Sequence, residues 1–352
     1  MNEVMISRDR LSDFVSAVFS TAGVPEDEAT LIAESLTEAD LTGVESHGVS
    51  RVPIYLKRIE MGVVNAAAKL DVIADLPGAL VLDGCNSMGI VTGCRAMDMA
   101  LKKAETSGAV FATVRNSNHF GIAAFFTQRA LKKGMIGYVG SNAPSTVAPW
   151  GGVKPYMGTN PFSIAFPAGK EPPIVMDMAT SIVAQGKIIL AAKEGRPIPF
   201  GWAITKEGDP TDDPKAALEG TVLPFAGAKG YSISLMLDVL SGILSGAAFG
   251  PYLCNMWNDF KNPQNVGHYF VVINVEKFLS LDEFKNKMDT MIRDIKQSPR
   301  AKGVDEILLP GELERRKRDK RIVEGIPLGN KTYSDLKDIA IRMNLKIQAE
   351  KS

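Results

Sequence analysis

Residues 108–121 read Gly-Ala-Val-Phe-Ala-Thr-Val-Arg-Asn-Ser-Asn-His-Phe-Gly, an apolar run that ends in a polar loop. The part from 108 to 114 has the length and the β-branched, aromatic composition of a buried strand. His119 lies in the loop, and after Gly121 the sequence predicts a helix over 123–133. Such a loop is a favoured place for ligand-binding groups, because backbone N–H groups point outward at the start of a helix. We therefore expect a strand, a functional loop and a helix in this order.

Short apolar runs of the same kind recur further along the chain, separated by glycine and proline. They lie at residues 135–140, 162–166, 174–178 and 268–273. Runs of this length and composition predict strands, and helical segments lie among them. We predict a mixed α/β body over residues 74–298.

The two ends of the chain show helical periodicity instead. One buried face is predicted near the N-terminus, formed by Leu11, Phe14, Val15, Val18 and Phe19. Pro25 predicts the first position of a second helix, and Ser334 is a candidate N-cap for a helix close to the C-terminus. We predict that residues 1–73 and 299–352 pack together as one helical domain.

Composition limits the kind of partner. Forty Lys and Arg balance forty Asp and Glu, so there is no overall positive field to hold nucleic acid or an anionic membrane. We expect a small-molecule partner, with neither nucleic acid nor a membrane. Three cysteines without CxxC spacing argue against a disulfide framework and a structural zinc site. With no apolar leader at the N-terminus, we expect a cytoplasmic protein.

Residues 234–253 are nearly all apolar or small. Asp238 interrupts them, and Gly246 and Pro251 follow, which predicts a buried helix ending near Gly246 rather than a membrane span. A helix that is apolar on most faces needs cover on every side. A second subunit can supply part of that cover.

A second histidine stands in the segment Ser46-His47-Gly48-Val49-Ser50-Arg51-Val52-Pro53-Ile54-Tyr55. Proline is tolerated in the first turn of a helix, so Ser50 is the predicted N-cap and His47 lies in the preceding turn. Arg51 and Tyr55, four residues apart, share one helix face. A guanidinium binds a carboxylate through two parallel hydrogen bonds, and an imidazole exchanges protons near neutral pH. Together they suit an anionic substrate that exchanges a proton.

Other interpretations of these residues stay open. His47 can stabilise a turn while Arg51 pairs with Glu45 on the surface, and His268, inside an apolar run, is predicted to be structural. A metal-dependent hydrolase using His47, His119 and Asp177 lacks the usual ligand spacing, and we expect no metal. There is no GxGxxG or GxxxxGK[ST] motif, although Lys229 and Gly230 open a helix at which a phosphate can bind.

Several motifs in a fixed order resemble the type-2 malate/L-lactate dehydrogenase family. They are Ser46-His47-Gly48 with Arg51 and Tyr55, Asn118-His119-Phe120-Gly121, Ala148 to Gly152, Gly158 to Pro161, Asp177 to Ser181, Gln185-Gly186-Lys187, Lys229-Gly230-Tyr231 and Leu240-Ser241-Gly242. This family also contains ureidoglycolate and sulfolactate dehydrogenases. The resemblance implies a three-layer mixed α/β fold that binds nicotinamide cofactors without the Rossmann fingerprint, and hydride transfer between NAD or NADP and a small 2-hydroxy acid.

The resemblance also implies roles for individual residues. His119 is the expected proton carrier, with His47 orienting the substrate or sharing that role. Arg51 is expected to bind the substrate carboxylate, with Ser46 and Tyr55 as polar contacts. The implied cofactor contacts are Ser141, Asn142, Ala143, Asp177, Met178, Ala179, Lys229, Gly230, Gly311 and Glu312. Members of this family are dimers with the active site near the subunit interface, so we expect a homodimer. The alternative that involves no catalysis is a homologue that binds the cofactor but does not turn over a substrate.

Overall fold

The computed structural model describes residues 3–347, which form a mixed α/β protein. The helices are α1 (Arg8–Thr21), α2 (Glu26–Leu41), α3 (Val52–Glu60), α4 (Gly89–Ser107), α5 (Ala124–Leu131), α6 (Gln185–Glu194), α7 (Pro214–Glu219), α8 (Ala228–Asp238), α9 (Leu281–Gln297), α10 (Glu312–Glu324) and α11 (Asn330–Arg342). The strands are β1 (Val4–Ile6), β2 (Asp71–Leu76), β3 (Ala79–Asp83), β4 (Ala109–Ser117), β5 (Ile136–Ser141), β6 (Phe162–Phe166), β7 (Ile174–Met178), β8 (Ala203–Ile204), β9 (Pro210–Thr211), β10 (Thr221–Val222), β11 (Val266–Ile273) and β12 (Ile326–Leu328).

A sheet of seven strands forms the centre, in the order β2-β3-β4-β11-β5-β6-β7. Strands β3 and β4 are parallel, and the other neighbours are antiparallel. The predicted strands at 108–114, 135–140, 162–166, 174–178 and 268–273 all belong to this sheet. Strand β11 comes last of these seven in the sequence but lies between β4 and β5. The two halves of the sheet, β2-β3-β4 and β5-β6-β7, are therefore joined by a strand from a later part of the chain.

Helices cover both faces of the sheet and give it three layers. Helices α4 and α5 pack on one face, whereas α8 and a short π-helical turn over Val239–Ile243 pack on the other. Strand β11 alternates between these layers, since Phe270 and Val272 join the first and Tyr269 joins the second. This two-residue period is typical of a strand that is buried on both sides. A smaller unit of β8, β9 and β10 with α6 and α7 has a separate core.

The N- and C-terminal segments meet in one apolar cluster, to which α1, α2, α3 and α11 contribute. Strand β1 pairs with β12 and joins the two ends of the chain directly. The predicted apolar face of α1 is confirmed, because Leu11, Phe14, Val15, Val18 and Phe19 are all buried. The division into residues 1–73 with 299–352 and residues 74–298 stays a prediction.

Two predicted helix starts are wrong. Helix α3 begins at Val52 with Arg51 at the N-cap, since Ser50 lies in a 3₁₀ turn and its hydroxyl donates to the Glu45 carbonyl. Helix α11 begins at Asn330, so Ser334 lies inside it. Helix α3 thus begins one residue later than predicted, whereas α11 begins about one turn earlier. Pro25 stands at the N-cap of α2, one position before the predicted one.

The apolar stretch at 234–253 ends as a helix near Gly246, where φ is +79°. Within this chain one side of the helix is buried against the sheet and the other is exposed, and cover from a second subunit stays a prediction. Five large apolar side chains are between 40% and 57% exposed, namely Leu235, Met236, Val239, Ile243 and Leu244. They form an outward face, because the sheet covers only the opposite side. Of the helices between residues 3 and 347, not one combines the length and the apolar character needed to cross a membrane.

Candidate active site

The loop that carries His47 is held in place by a buried carboxyl group. Two 3₁₀ turns, Glu45–His47 and Val49–Arg51, lead into α3. Asp40 at the end of α2 is buried and accepts the Val49 N–H at 2.7 Å. A Cβ on Gly48 would lie 2.1 Å from Asp40 Oδ1, so only glycine permits this approach. Burial raises the pKa of Asp40 to about 8.

Helix α3 directs Arg51, Tyr55 and Arg58 toward the α/β body, at spacings of four and three residues. Tyr55 is buried, and its Oη lies 2.5 Å from Nδ1 of His119. His119 stands in the loop after β4, as the sequence predicts. Its backbone N–H donates to Gln264 Oε1 at 3.2 Å. The helical segment and the sheet therefore meet at this histidine.

The two histidines lie face to face. The centroids of the His47 and His119 rings are 5.3 Å apart, with 26° between the ring planes. Burial and the neighbouring Arg51 charge lower the pKa of His47 to about 3. The same causes, in the same order, hold the pKa of His119 well below its ordinary value. Both rings are therefore neutral at neutral pH, and each can accept a proton or donate its N–H.

Arg51 carries a positive charge beside these neutral rings. Its Nε donates to the Ser46 carbonyl at 2.6 Å, and its guanidinium carbon lies 4.7 Å from the centroid of the Trp257 ring. The suggested pairing with Glu45 is wrong, since Glu45 accepts from Arg321 at 2.7 Å. Within residues 3–347, Arg51 has no carboxylate at ion-pair distance. A desolvated guanidinium without an acidic partner is suited to an anionic ligand.

Ser46 lies close to His47, with its Oγ 2.9 Å from Nδ1 of that ring. This contact leaves Nε2 of His47 available on the other side of the imidazole. In the described part of the chain, no three side chains of His, Cys, Asp or Glu lie together as a metal site would require. The structure brings together Arg51, His47, His119, Ser46 and Tyr55.

Three residues that complete this site carry no signal in the sequence. Arg58 is fully buried and donates to the carbonyls of Met256 at 3.3 Å, Asp259 at 2.6 Å and Asn262 at 3.4 Å. These bonds hold the segment 254–264 against α3. That segment supplies Trp257 next to Arg51 and Gln264 next to His119. None of these residues stands in a recognisable motif, because their role depends on a contact between distant segments.

Comparison with known proteins agrees with this geometry. The sequence profile of the family described as malate/L-lactate dehydrogenase matches residues 6–337. The chain belongs to the malate/L-lactate dehydrogenase family. It is therefore an oxidoreductase, a dehydrogenase of 2-hydroxy acids that acts on a CH–OH group.

Named relatives and solved structures cover nearly the whole chain. The malate dehydrogenase of Pyrococcus horikoshii is 40% identical over 98% of this chain and 97% of its own length. The ureidoglycolate dehydrogenase (NAD(+)) of Escherichia coli K12 is 34% identical over 94% of both chains. The structure of sulfolactate dehydrogenase from Methanocaldococcus jannaschii has a TM-score of 0.92 and 37% identity, covering 97% of this chain and 98% of that one.

In this malate/L-lactate dehydrogenase family member, the expected cofactor residues Ser141 and Asn142 turn their side chains inward. Ser141 Oγ lies 2.9 Å from Nδ1 of His268. The Asn142 amide donates to the Ala248 carbonyl at 2.8 Å and accepts from the Gly267 N–H at 3.0 Å. These side chains shape the turn, so any contact with a cofactor there has to use backbone groups or Ala143. His268 is a structural histidine, as predicted.

Asp177, Met178 and Ala179 lie where β7 ends. Asp177 Oδ2 accepts the N–H of Ala124 at 2.9 Å, at the start of the helix that follows the His119 loop. This bond brings the end of β7 to the histidine side of the sheet. Gly311 packs on the same strand, since a Cβ there would lie 2.6 Å from the Val175 carbonyl oxygen.

The side chain of Glu312 is already engaged. It binds Lys296 Nζ at 2.9 Å and Arg316 Nη2 at 2.6 Å, and it accepts the Leu309 N–H at 3.1 Å. Burial alone would raise the pKa of Glu312, but these bonds outweigh it and lower that pKa to about 2. Glu312 therefore stabilises the start of α10 whether or not a cofactor lies near it.

The first turn of α8 fits a phosphate group. The helix has no side-chain cap, and Lys229 is exposed beside its free N–H groups. Gly230 allows the chain to approach closely, since a Cβ there would lie 1.9 Å from the Phe225 carbonyl oxygen. A cation together with free helical N–H groups suits the diphosphate of a nicotinamide dinucleotide.

Proposed function

We propose that the protein interconverts a small 2-hydroxy acid of the malate or L-lactate type and its 2-oxo acid, with NAD or NADP as cofactor. The observation that carries this proposal is the unpaired Arg51 beside two neutral histidines. The guanidinium supplies the carboxylate-binding group, and the imidazoles supply the proton chemistry. Ureidoglycolate and sulfolactate share the carboxylate and the hydroxyl group, and they are the alternative substrates.

His119 is the proposed proton carrier. Tyr55 and the N–H of Gly121 occupy its Nδ1, at 2.5 Å and 3.3 Å, which leaves Nε2 for the substrate oxygen. The bound cofactor supplies hydride in reduction and accepts it in oxidation. His47, stacked on His119, is proposed to orient the substrate. Ser46 is proposed as a further polar contact.

The proposed cofactor site consists of the segments for which the family resemblance implies cofactor contacts. Lys229 and Gly230 are proposed to hold the phosphates at the start of α8. Ala143, Asp177, Met178 and Ala179 are proposed to line the path toward His119, with the turn at Gly311 beside them. The bond from Ala124 to Asp177 supports this arrangement, because it ties β7 to the helix that begins after His119.

The decisive experiment follows absorbance of the reduced nicotinamide with a panel of 2-oxo acids, each tested with NADH and NADPH. We expect turnover of oxaloacetate, pyruvate or sulfopyruvate.

His119→Gln should reduce kcat by about 10²- to 10⁴-fold without loss of cofactor binding. Arg51→Lys should raise KM strongly, since lysine lacks the planar fork. The control Arg342→Lys changes an exposed arginine on α11 and should leave both constants unchanged. Near-normal turnover in His119→Gln would refute the assignment.

We also propose a homodimer with the active site near the interface. The support is the exposed apolar face of α8 and its π-helical turn, formed by the five side chains named above. Lys229 lies in the first turn of the same helix, so a partner on this face lies near the proposed phosphate site. Leu244→Glu should convert the dimer to a monomer in light scattering after gel filtration. Val323→Glu, at an exposed apolar position on α10, is the matched control. A wild-type monomer would refute the proposal. Cytoplasmic localisation likewise remains our proposal.

A further inference from the structure

The proton on the His119 ring can be located from its neighbours. A backbone N–H can only donate, and the N–H of Gly121 points at Nδ1 from 3.3 Å. Nδ1 is therefore an acceptor, and the neutral ring carries its proton on Nε2. Tyr55 Oη, 2.5 Å from the same nitrogen, must be the donor of their hydrogen bond. The hydroxyl is thus directed at His119 rather than toward the substrate.

A neutral proton donor creates a charge problem in reduction. When Nε2 gives its proton to the developing alkoxide, a neutral imidazole becomes an imidazolate unless Nδ1 gains a proton. The group placed to provide one is Tyr55, buried and at short distance. Burial raises the pKa of Tyr55, while the Arg51 charge favours its ionised form.

We propose that Tyr55 is a positioning residue that lends its hydroxyl proton to His119 during the hydride transfer. This inference rests on the proposed function. As the Nε2–H bond breaks and the product O–H bond forms, the Tyr55 O–H bond breaks and an Nδ1–H bond forms. The phenolate persists until product leaves. Nε2 then takes a proton from solvent, and the Nδ1 proton returns to Tyr55. The net reaction consumes one hydride and one solvent proton, and oxidation runs in reverse.

The test compares the wild type, Tyr55→Phe and a control, Tyr333→Phe, which removes a phenol hydroxyl on α11. Single-turnover rates of bound reduced cofactor with the best 2-oxo acid are measured in mixtures of H₂O and D₂O. With two protons in motion, the wild-type rate should depend quadratically on the deuterium fraction. Tyr55→Phe should slow the step by on the order of 100-fold and make the dependence linear. KM and cofactor affinity should change little, and Tyr333→Phe should match the wild type.

A second readout is the pH profile of the same step. The wild-type rate should be flat between pH 6 and 9, because the relay starts from neutral His119. Without the hydroxyl, His119 has to act as imidazolium, so the Tyr55→Phe rate should fall tenfold for each pH unit. This dependence would not follow from a loss of packing.

Three outcomes would overturn the relay. They are a Tyr55→Phe variant with a near-normal rate and a quadratic dependence, a linear dependence already in the wild type, and a large rise in KM at unchanged kcat. The last would make Tyr55 a substrate contact, as the sequence suggested. A wild type that reduces no 2-oxo acid would instead refute the proposed function, and the relay with it.

Discussion

Substitution of Arg58 tests whether this buried cation on α3 holds the segment 254–264 in position at the active site. We consider Arg58→Met, which keeps the aliphatic length and removes the donors to three carbonyls. The bond to the Asp259 carbonyl is short, at 2.6 Å, and a hydrogen bond from a charged donor contributes about 1.5–3 kcal/mol. The other two bonds, at 3.3 and 3.4 Å, contribute less. We expect a loss of about 2–3 kcal/mol of unfolding free energy.

That loss converts into a measurable shift. An unfolding entropy of about 2.1 cal/mol/K per residue gives about 0.7 kcal/mol/K for a chain of this size, so Tm should fall by about 3–4 °C. The segment 254–264 should also loosen, which displaces Trp257 from Arg51 and Gln264 from His119. We expect KM for the 2-oxo acid to rise by about tenfold, equivalent to about 1.4 kcal/mol.

The assays are scanning calorimetry and steady-state kinetics on the same preparation. Arg342→Met is the control, because its exposed pair with Glu60 should contribute at most about 1 kcal/mol. A Tm within 1 °C of the wild type, together with an unchanged KM, would contradict the anchoring role of Arg58. A lower Tm with unchanged KM would show that the anchor stabilises the fold without positioning the substrate site.

Three other predictions concern the loop and the guanidinium. Trp257→Ala should raise KM by about 2- to 30-fold, because a ring stacked on a cation contributes about 0.5–2 kcal/mol. Trp257→Phe keeps an aromatic ring beside Arg51 and should retain most of the affinity for substrate. Burial raises the pKa of Asp40 from 3.8 to about 8, so the folded protein keeps a proton that the unfolded chain releases, and the wild type loses stability as pH rises through that interval. The Tm of Asp40→Asn relative to the wild type should therefore increase between pH 5 and pH 8, and a constant difference would refute this. Gly48→Ala places a Cβ against the Asp40 carboxyl group and should lower kcat/KM together with a loss of about 1–3 kcal/mol of stability, measured by urea unfolding.

Periodicity and residue type were enough to predict the local elements. The buried face of α1 and the strand after Gly108 follow from repeating apolar positions, which any packing partner must accommodate. Arg51 and Tyr55 fall on one face of α3 because a helix brings residues four apart together. The balanced charge also indicated a small-molecule partner. Each of these features depends on residues close together in the chain.

The helix starts at Ser50 and Ser334 were mispredicted for a related reason. A capping side chain competes with the apolar and hydrogen-bonding contacts of the neighbouring turns, and here those contacts extended or shifted the helix. What covers the outer face of α8 could not be predicted for a different reason. Its sequence is apolar all round, but one sheet covers only one side, and composition does not say what covers the other.

By itself, the sequence determined which segments are helices and strands, that two histidines and an arginine are candidates for chemistry, and which family the motifs resemble. Only the tertiary structure decided that the Tyr55 hydroxyl is directed at His119, 64 residues further along the chain. It likewise placed Trp257 against Arg51 and Arg58 beneath the segment 254–264. The physical reason is that spacing fixes only which side chains share a local face. Contacts between distant segments depend on how helix and sheet pack together.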